Sequence, residues 1–214
     1  ALRNNTTGTT NNAFGYASLK TNTIGISNTG FGYQTLYANT TGTDNVAVGH
    51  NSLLYNTIGS NNVAVGRSSL QSNTTGNQNI AIGYRSLNAN TTGNCNVAVG
   101  KDASYSNTFG SYNSVFGYQS MYNNVTGVNN SAFGYRALLN NTTSNNSAFG
   151  FRSLFNNTIG TSNAAFGKDS LFSNTTGSTN SAFGRDALKY NTIGISNSGF
   201  GYRSLLNNTT GSNN

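Results

Sequence analysis

The side chains able to do chemistry are few in this chain of 214 residues: Asp44, Asp102, Asp169 and Asp186, no Glu, one His (His50), one Cys (Cys95) and eleven Lys or Arg. General acid–base catalysis needs two titratable groups within reach of one substrate, and a nucleophile needs a base beside it. Neither spacing occurs, nor does a glycine-rich phosphate loop. Asp44 is one variant at a variable turn position. The other three acids each fall 17 residues from an Arg, as Arg85/Asp102, Arg152/Asp169 and Asp186/Arg203. Cys95 is single, so it forms no intrachain disulfide and draws no metal cluster with His50. The sequence therefore predicts no catalytic residue, no metal and no cofactor; Cys95 reads as a surface thiol.

The separation of 17 is the period of the whole chain. An apolar residue followed by Gly recurs at Gly15, Gly32, Gly49, Gly66, Gly83, Gly100, Gly117, Gly134, Gly150, Gly167, Gly184 and Gly201, with one residue deleted near Ser144. Twelve copies fill 11–213 after a half repeat at 1–10, and residues 180–214 echo 11–45. Units this short bury their apolar face only against neighbouring units. The expectation is one repetitive domain over 1–214, an all-β parallel β-solenoid (β-roll) with one 17-residue coil per repeat and about twelve coils. With no Asn-Gly or Asp-Gly pair, the strongest hairpin signal is missing.

Numbering the repeat from its leading Asn gives columns of like residues. Position 1 is Asn throughout (Asn11, Asn28, Asn45, Asn62, Asn79, Asn96, Asn113, Asn130, Asn146, Asn163, Asn180, Asn197). So is position 12 (Asn22, Asn39, Asn56, Asn73, Asn90, Asn107, Asn124, Asn141, Asn157, Asn174, Asn191, Asn208). Stacked in register, such amides hydrogen-bond along a column. Positions 1–5 read as a five-residue strand. Positions 2 and 4 share a face, and a ring at 4 always accompanies a small residue at 2, whereas copies three to six carry Val or Ile at both. That exchange of volumes predicts positions 2 and 4 inside, and antiparallel hairpins or a position 4 facing solvent would overturn the solenoid assignment outright. Position 3 (Ala, one Val, two Gly) then forms an outer column of small residues that, with the Tyr, Leu and Phe of position 10, is available to another chain. Position 9, Leu in ten copies and Met121 in one, predicts a second interior column, with Ser104 an exception offset by Tyr105. Position 14 is expected half-buried. Position 6 is an outer stripe of rings and cations that includes His50, and the three Arg/Asp pairs are expected as exposed contacts between adjacent coils.

A formal charge of +7 and a mean hydropathy of −0.42 come without any run of like charge, so neither nucleic acid nor membrane insertion is indicated. Aromatic content and periodicity argue against disorder. No signal peptide, membrane-spanning run or lipidation motif is present. Both ends fall inside a repeat, which predicts an excerpt of a longer array with exposed strand edges. Asn-x-Ser/Thr sequons at Asn39, Asn73, Asn90, Asn124, Asn140, Asn174 and Asn207 are candidate glycosylation sites if the chain is exported.

The cores Asn45–Gly49, Asn79–Gly83 and Asn146–Gly150 resemble the head repeats of trimeric autotransporter adhesins. The longer unit Gly134–Thr143 is similar to repeats in the shafts of phage, giant-virus and bacterial tail-fibre-like proteins. That resemblance implies an extracellular, cell-surface or virion-surface fibre whose partner is itself, as a homotrimer or an end-to-end filament, without enzymatic activity. Two alternatives remain. An adhesin surface would bind glycans through the stripe at positions 6 and 7, and an ice-binding solenoid would use the Thr column at position 13.

Overall fold

The structure is a computed structural model describing residues 1–214. The chain divides into two compact units, Ala1–Phe109 and Gly110–Asn214. The first carries β1 (Asn12–Phe14), β2 (Thr29–Phe31), β3 (Val46–Val48), β4 (Val63–Val65), β5 (Ile80–Ile82) and β6 (Val97–Val99). The second carries β7 (Ser114–Phe116), β8 (Ser131–Phe133), β9 (Ser147–Phe149), β10 (Ala164–Phe166), β11 (Ser181–Phe183) and β12 (Ser198–Phe200). Within each unit every strand pairs in parallel with its sequence neighbours, like position against like position, as in Ala47↔Ala64 and Ala165↔Ala182. This is an all-β parallel solenoid with one coil per repeat, and it contains no helix.

The strands are three residues long, not five, because the flanking residues turn the chain. Gly at position 5 takes φ between +114° and +141° in all twelve copies, a region open to glycine alone. The backbone groups that these turns release find partners on adjacent coils, which meets the requirement that buried amides and carbonyls be paired. The N–H of position 9 donates to position 8 of the following coil, as Leu53 to Ser69 O at 3.1 Å. Position 5 donates backward, as Gly49 to Phe31 O at 2.9 Å. Three consecutive amides, Thr23, Ile24 and Gly25, converge on Thr40 O at 3.0, 3.2 and 3.2 Å, and that convergence recurs along the chain.

The sheet faces the opposite way from the expectation. Position 3 points inward, with Ala47 and Ala182 fully buried, while Val48 and Phe183 at position 4 are 38% and 36% exposed. The solenoid is nonetheless intact, so the criterion that an outward position 4 overturns it is wrong. Alternation along a strand establishes that 2 and 4 share a face, but it does not choose the face. The choice is made by width. Across from the two position 3 glycines lie position 8 hydroxyls and a position 9 Leu: a methyl group placed on Gly30 would stand 2.8 Å from Thr35 Oγ1, and one on Gly199 would stand 2.9 Å from Ser204 Oγ and 3.3 Å from Leu188 Cγ. No ring fits there. The pairing of large and small residues at 4 and 2 belongs to an outer surface, where like stacks on like. Phe116, Phe133, Phe149, Phe166, Phe183 and Phe200 form one run of rings, with centroids 4.6–5.0 Å apart.

Three other expectations change with it. The buried position 3 column offers no surface to another chain. Position 14 is exposed, Ile159 at 61% and Ile193 at 53%, not half-buried. Leu at position 9 is interior as expected, with Leu19 through Leu188 at zero exposure, but Ser104 is not offset by Tyr105. The Tyr105 ring instead lies 4.9 Å from the Arg85 guanidinium, and Ser104 Oγ is buried without a partner.

Gly83 and Gly201 test the crowding at position 5 separately from its backbone angle. Both have positive φ (+129° and +114°), yet a Cβ on Gly83 would overlap the Gly100 carbonyl, whereas one on Gly201 meets nothing within 4 Å. Gly201→Ala is expected to lower unfolding free energy by about 1–3 kcal/mol through the backbone angle alone, and Gly83→Ala by about 1–3 kcal/mol more through the added overlap, in chemical denaturation.

Candidate functional site

The chemistry of this chain lies in its columns. At position 12 the Asn Nδ2 donates to the Oδ1 of the preceding copy, as Asn39 to Asn22 (2.7 Å), Asn56 to Asn39 (2.8 Å), Asn73 to Asn56 (2.7 Å) and Asn90 to Asn73 (2.9 Å); the ladder is interrupted at the shortened copy, where Asn141 Nδ2 donates to Thr143 O alone. In the second unit Asn157, Asn174, Asn191 and Asn208 do the same over 2.8–3.0 Å. At position 1 the Oδ1 accepts twice, as Asn28 Oδ1 does from the Asn45 backbone N–H (3.1 Å) and from Asn45 Nδ2 (3.0 Å). The second hydrogen of both amides goes to one acceptor, the position 15 glycine carbonyl of the same coil. Gly42 O takes Asn28 Nδ2 at 2.7 Å and Asn39 Nδ2 at 3.0 Å. The two Asn columns are thereby joined inside every coil.

The shortened copy shows which residue is dispensable. Thr143 O receives Asn130 Nδ2 at 2.8 Å and Asn141 Nδ2 at 2.7 Å, the role that glycine fills elsewhere. The deleted residue is thus the exposed position 14, and the carbonyl linking the columns is retained. The Thr143 hydroxyl also donates to Gly160 O at 2.8 Å.

The amide network bears on the sequons. Asn39, Asn73, Asn90, Asn124 and Asn174 are fully buried, so the turn at position 12 is not an accessible attachment point. Asn140 and Asn207, at position 11, lie half-buried and exposed. At position 13 the Thr hydroxyls donate to the next coil's backbone, as Thr40 Oγ1 to Thr57 O at 3.1 Å and Thr57 Oγ1 to Thr74 O at 2.9 Å. Their hydrogens are therefore directed along the stack, away from an external lattice.

Two of the three expected ion pairs form. Arg85 Nε donates to Asp102 Oδ1 at 2.8 Å, and this hydrogen bond raises the guanidinium pKa further. Arg152 grips Asp169 through two bonds of 2.9 and 3.1 Å. The third does not: Asp186 is taken by Lys189 of its own coil at 2.9 Å and by Arg185 at 3.3 Å, while the Arg203 guanidinium lies 5.0 Å from the Tyr202 ring. The pairs are also not exposed, since the three carboxylates are buried and only their cations reach solvent. His50 continues the stacked stripe, with Tyr33 4.9 Å away, and half-buried Cys95 Sγ contacts Gln78 Oε1 at 3.2 Å.

One conformational feature escaped the sequence reading. Positions 7, 9 and 17 hold non-glycine residues at φ of about +50° to +60° in every copy, including Leu53 at +49° and Leu188 at +49°. Such angles cost on the order of 1 kcal/mol each and persist where surrounding bonds dictate them. Asn and Asp at position 17 (Asp44, Asn61, Asn129, Asn145) carried a partial signal, because these residues tolerate the left-handed region. Leu at position 9 carried none.

Comparison with protein families, with curated proteins and with solved structures finds no match for this chain. No helix is long and apolar enough to cross a membrane.

Asn73→Ala removes two donated bonds and leaves Asn90 Nδ2 short of one acceptor, so denaturant unfolding should show a loss of about 1–3 kcal/mol. Exposed Asn123→Ala should stay within about 0.5 kcal/mol. Asp186 supplies a pH test. The hydrogen bond from Lys189, opposed by burial and helped by the charges of Lys189 and Arg185, holds its carboxyl below the usual range. The unfolded chain then binds the proton more tightly, so this contribution is complete above about pH 4 and is lost as pH falls through the depressed value. Asp186→Asn should flatten the stability–pH curve in that acid window.

Proposed function

We propose that this chain is the repetitive shaft of an extracellular fibre, with a mechanical and display role, no catalytic activity, and further copies of itself as partners in a homotrimer or an end-to-end filament. The reading rests on one observation above the rest. Each coil satisfies its buried amides on the next through backbone bonds and two Asn columns, so a coil is completed by its neighbour and the unit extends by repetition. The resemblance to adhesin-head and tail-fibre shaft repeats supports the same reading. For lateral association the outer sheet face is the natural surface. Its positions 2 and 4 carry no charge in any copy, and Phe or Val/Ile columns lie open along each unit. A cell-surface or virion-surface setting is part of this proposal.

Electron microscopy and light-scattering mass on one sample test it. Uniform filaments, or discrete rods of three chains, are expected. A 22.4 kDa monomer at micromolar concentration would reject assembly. Replacing Phe149 and Phe166 by Ser should shift mass toward the monomer if association is lateral, and leave it unchanged if growth is end-to-end.

A further inference from the structure

All eleven Lys and Arg residues fall at repeat positions 6, 7 or 10, and the fold gathers those positions into one ridge on each unit. In the second unit the Arg152 guanidinium lies 5.0 Å from the Phe151 ring at position 6 and 4.9 Å from the Phe172 ring at position 10 of the next coil. Lys189 at position 10 donates to Asp186 at position 7. The acids are buried at the base of this ridge, while Lys168, Arg185 and Arg203 are exposed and Arg136, Arg152 and Lys189 half-buried. Coil by coil, Arg136 gives one net positive charge and Arg152 one. Lys168 cancels Asp169, Arg185 and Lys189 exceed Asp186 by one, and Arg203 gives one. The ridge thus carries four net cations over the five coils from Asn130 onward, and none on the coil before them, with the coils spaced by roughly 4.8 Å.

Three rings of the ridge are stacked on each other, while Tyr190 and Tyr202 have Lys189 and Arg203 over them. Tyr118, Tyr135 and Phe151 succeed one another at 5.3 and 5.0 Å with planes within 13°. Their faces are covered, leaving the electropositive ring edges at the surface, where they add to the attraction for anions.

We propose that the position 6, 7 and 10 ridge of the second unit binds an extended anionic polysaccharide, lying along the coil stack with one carboxylate or sulfate per coil. A pyranose ring is about as long as the coil spacing, so a chain acidified at each sugar matches the ridge in both repeat and charge. Nucleic acid matches neither. Single strands are held by bases stacking on open ring faces, and duplex DNA carries one charge per about 1.7 Å, a far higher density than the ridge. A second copy of the chain has no acidic surface to offer, since Asp44 is its only acid away from the ridge. The proposal narrows the glycan alternative to an acidic class and stands apart from self-assembly.

The test uses the full chain at fixed ionic strength, with polygalacturonate, dextran sulfate, neutral dextran and duplex DNA as immobilised probes, and light-scattering mass on the same samples to follow assembly separately. Binding to both acidic polysaccharides but not to neutral dextran is expected, weakening with added salt. Arg136→Gln/Lys168→Gln/Arg203→Gln should weaken polygalacturonate binding at least ~10-fold, a clear free-energy change. Ile159→Glu/Thr176→Glu/Ile193→Glu alters net charge equally at exposed position 14 and should leave binding within about 3-fold. Lys168→Gln alone, at an exposed side chain, reads the same effect if circular dichroism shows the triple variant misfolded. Equal losses in both triple variants, wild-type failure to bind either acidic polysaccharide, or tighter binding of DNA than of polygalacturonate would each overturn the proposal.

Discussion

The structure depends on one shared acceptor, the position 15 carbonyl that receives a side-chain amide from each Asn column. A coil of 17 residues encloses so little space that its interior is partly polar: Ser, Asn and Ala beside Leu. Buried amides are tolerable only when both hydrogens and the oxygen are used. The geometry achieves this by dividing the amides between directions, one hydrogen to its own coil and the other to the preceding coil, a division interrupted at the shortened copy, where Asn141 Nδ2 keeps the bond within its own coil. Displacing one copy by a single residue would break both columns and the Leu column together. Register is therefore set by polar groups, and the apolar contacts follow. The shortened copy illustrates the ranking, since Thr143 takes over the carbonyl while an exposed residue is dispensed with.

The same narrowness explains why the largest apolar side chains stand outside. A Phe column at position 4 buries its ring faces by stacking on the Phe of adjacent coils, at centroid distances of 4.6–5.0 Å in the second unit. Segregation follows, because a ring between two Val residues would lose its stacking partner. Copies three to six hold Val and Ile as a block, and copies seven to twelve hold Phe as a block. The sorting that resembled constant core volume is sorting along a surface.

What the sequence disclosed was what repetition alone determines. Period, parallel stacking, the amide columns, the Leu column and the pairs Arg85/Asp102 and Arg152/Asp169 all follow from placing like above like. What it concealed was whatever depends on the cross-section of one coil. The strand face is the main case, since period-two alternation is symmetric between inside and outside until the width of the interior is known. The left-handed Leu at position 9 is another, because its angle is imposed by hydrogen bonds to a coil 17 residues away. Asp186 failed for a local reason: Lys189, three residues on, reaches it before Arg203 can.

These two surfaces are chemically distinct, and the division follows from the backbone. Positions 2 and 4 lie on the sheet, where side chains stand close above one another, so a charge there would face like neighbours at about 5 Å. Uncharged residues occupy them in every copy. Positions 6, 7 and 10 lie on the broad turn, where long side chains spread over rings and reach a buried Asp one coil away, so cations are accommodated there. The sheet face thus suits packing against apolar surface, and the turn suits a charged polymer. Because the two are built from different columns of the same coil, substitution on one leaves the other in place.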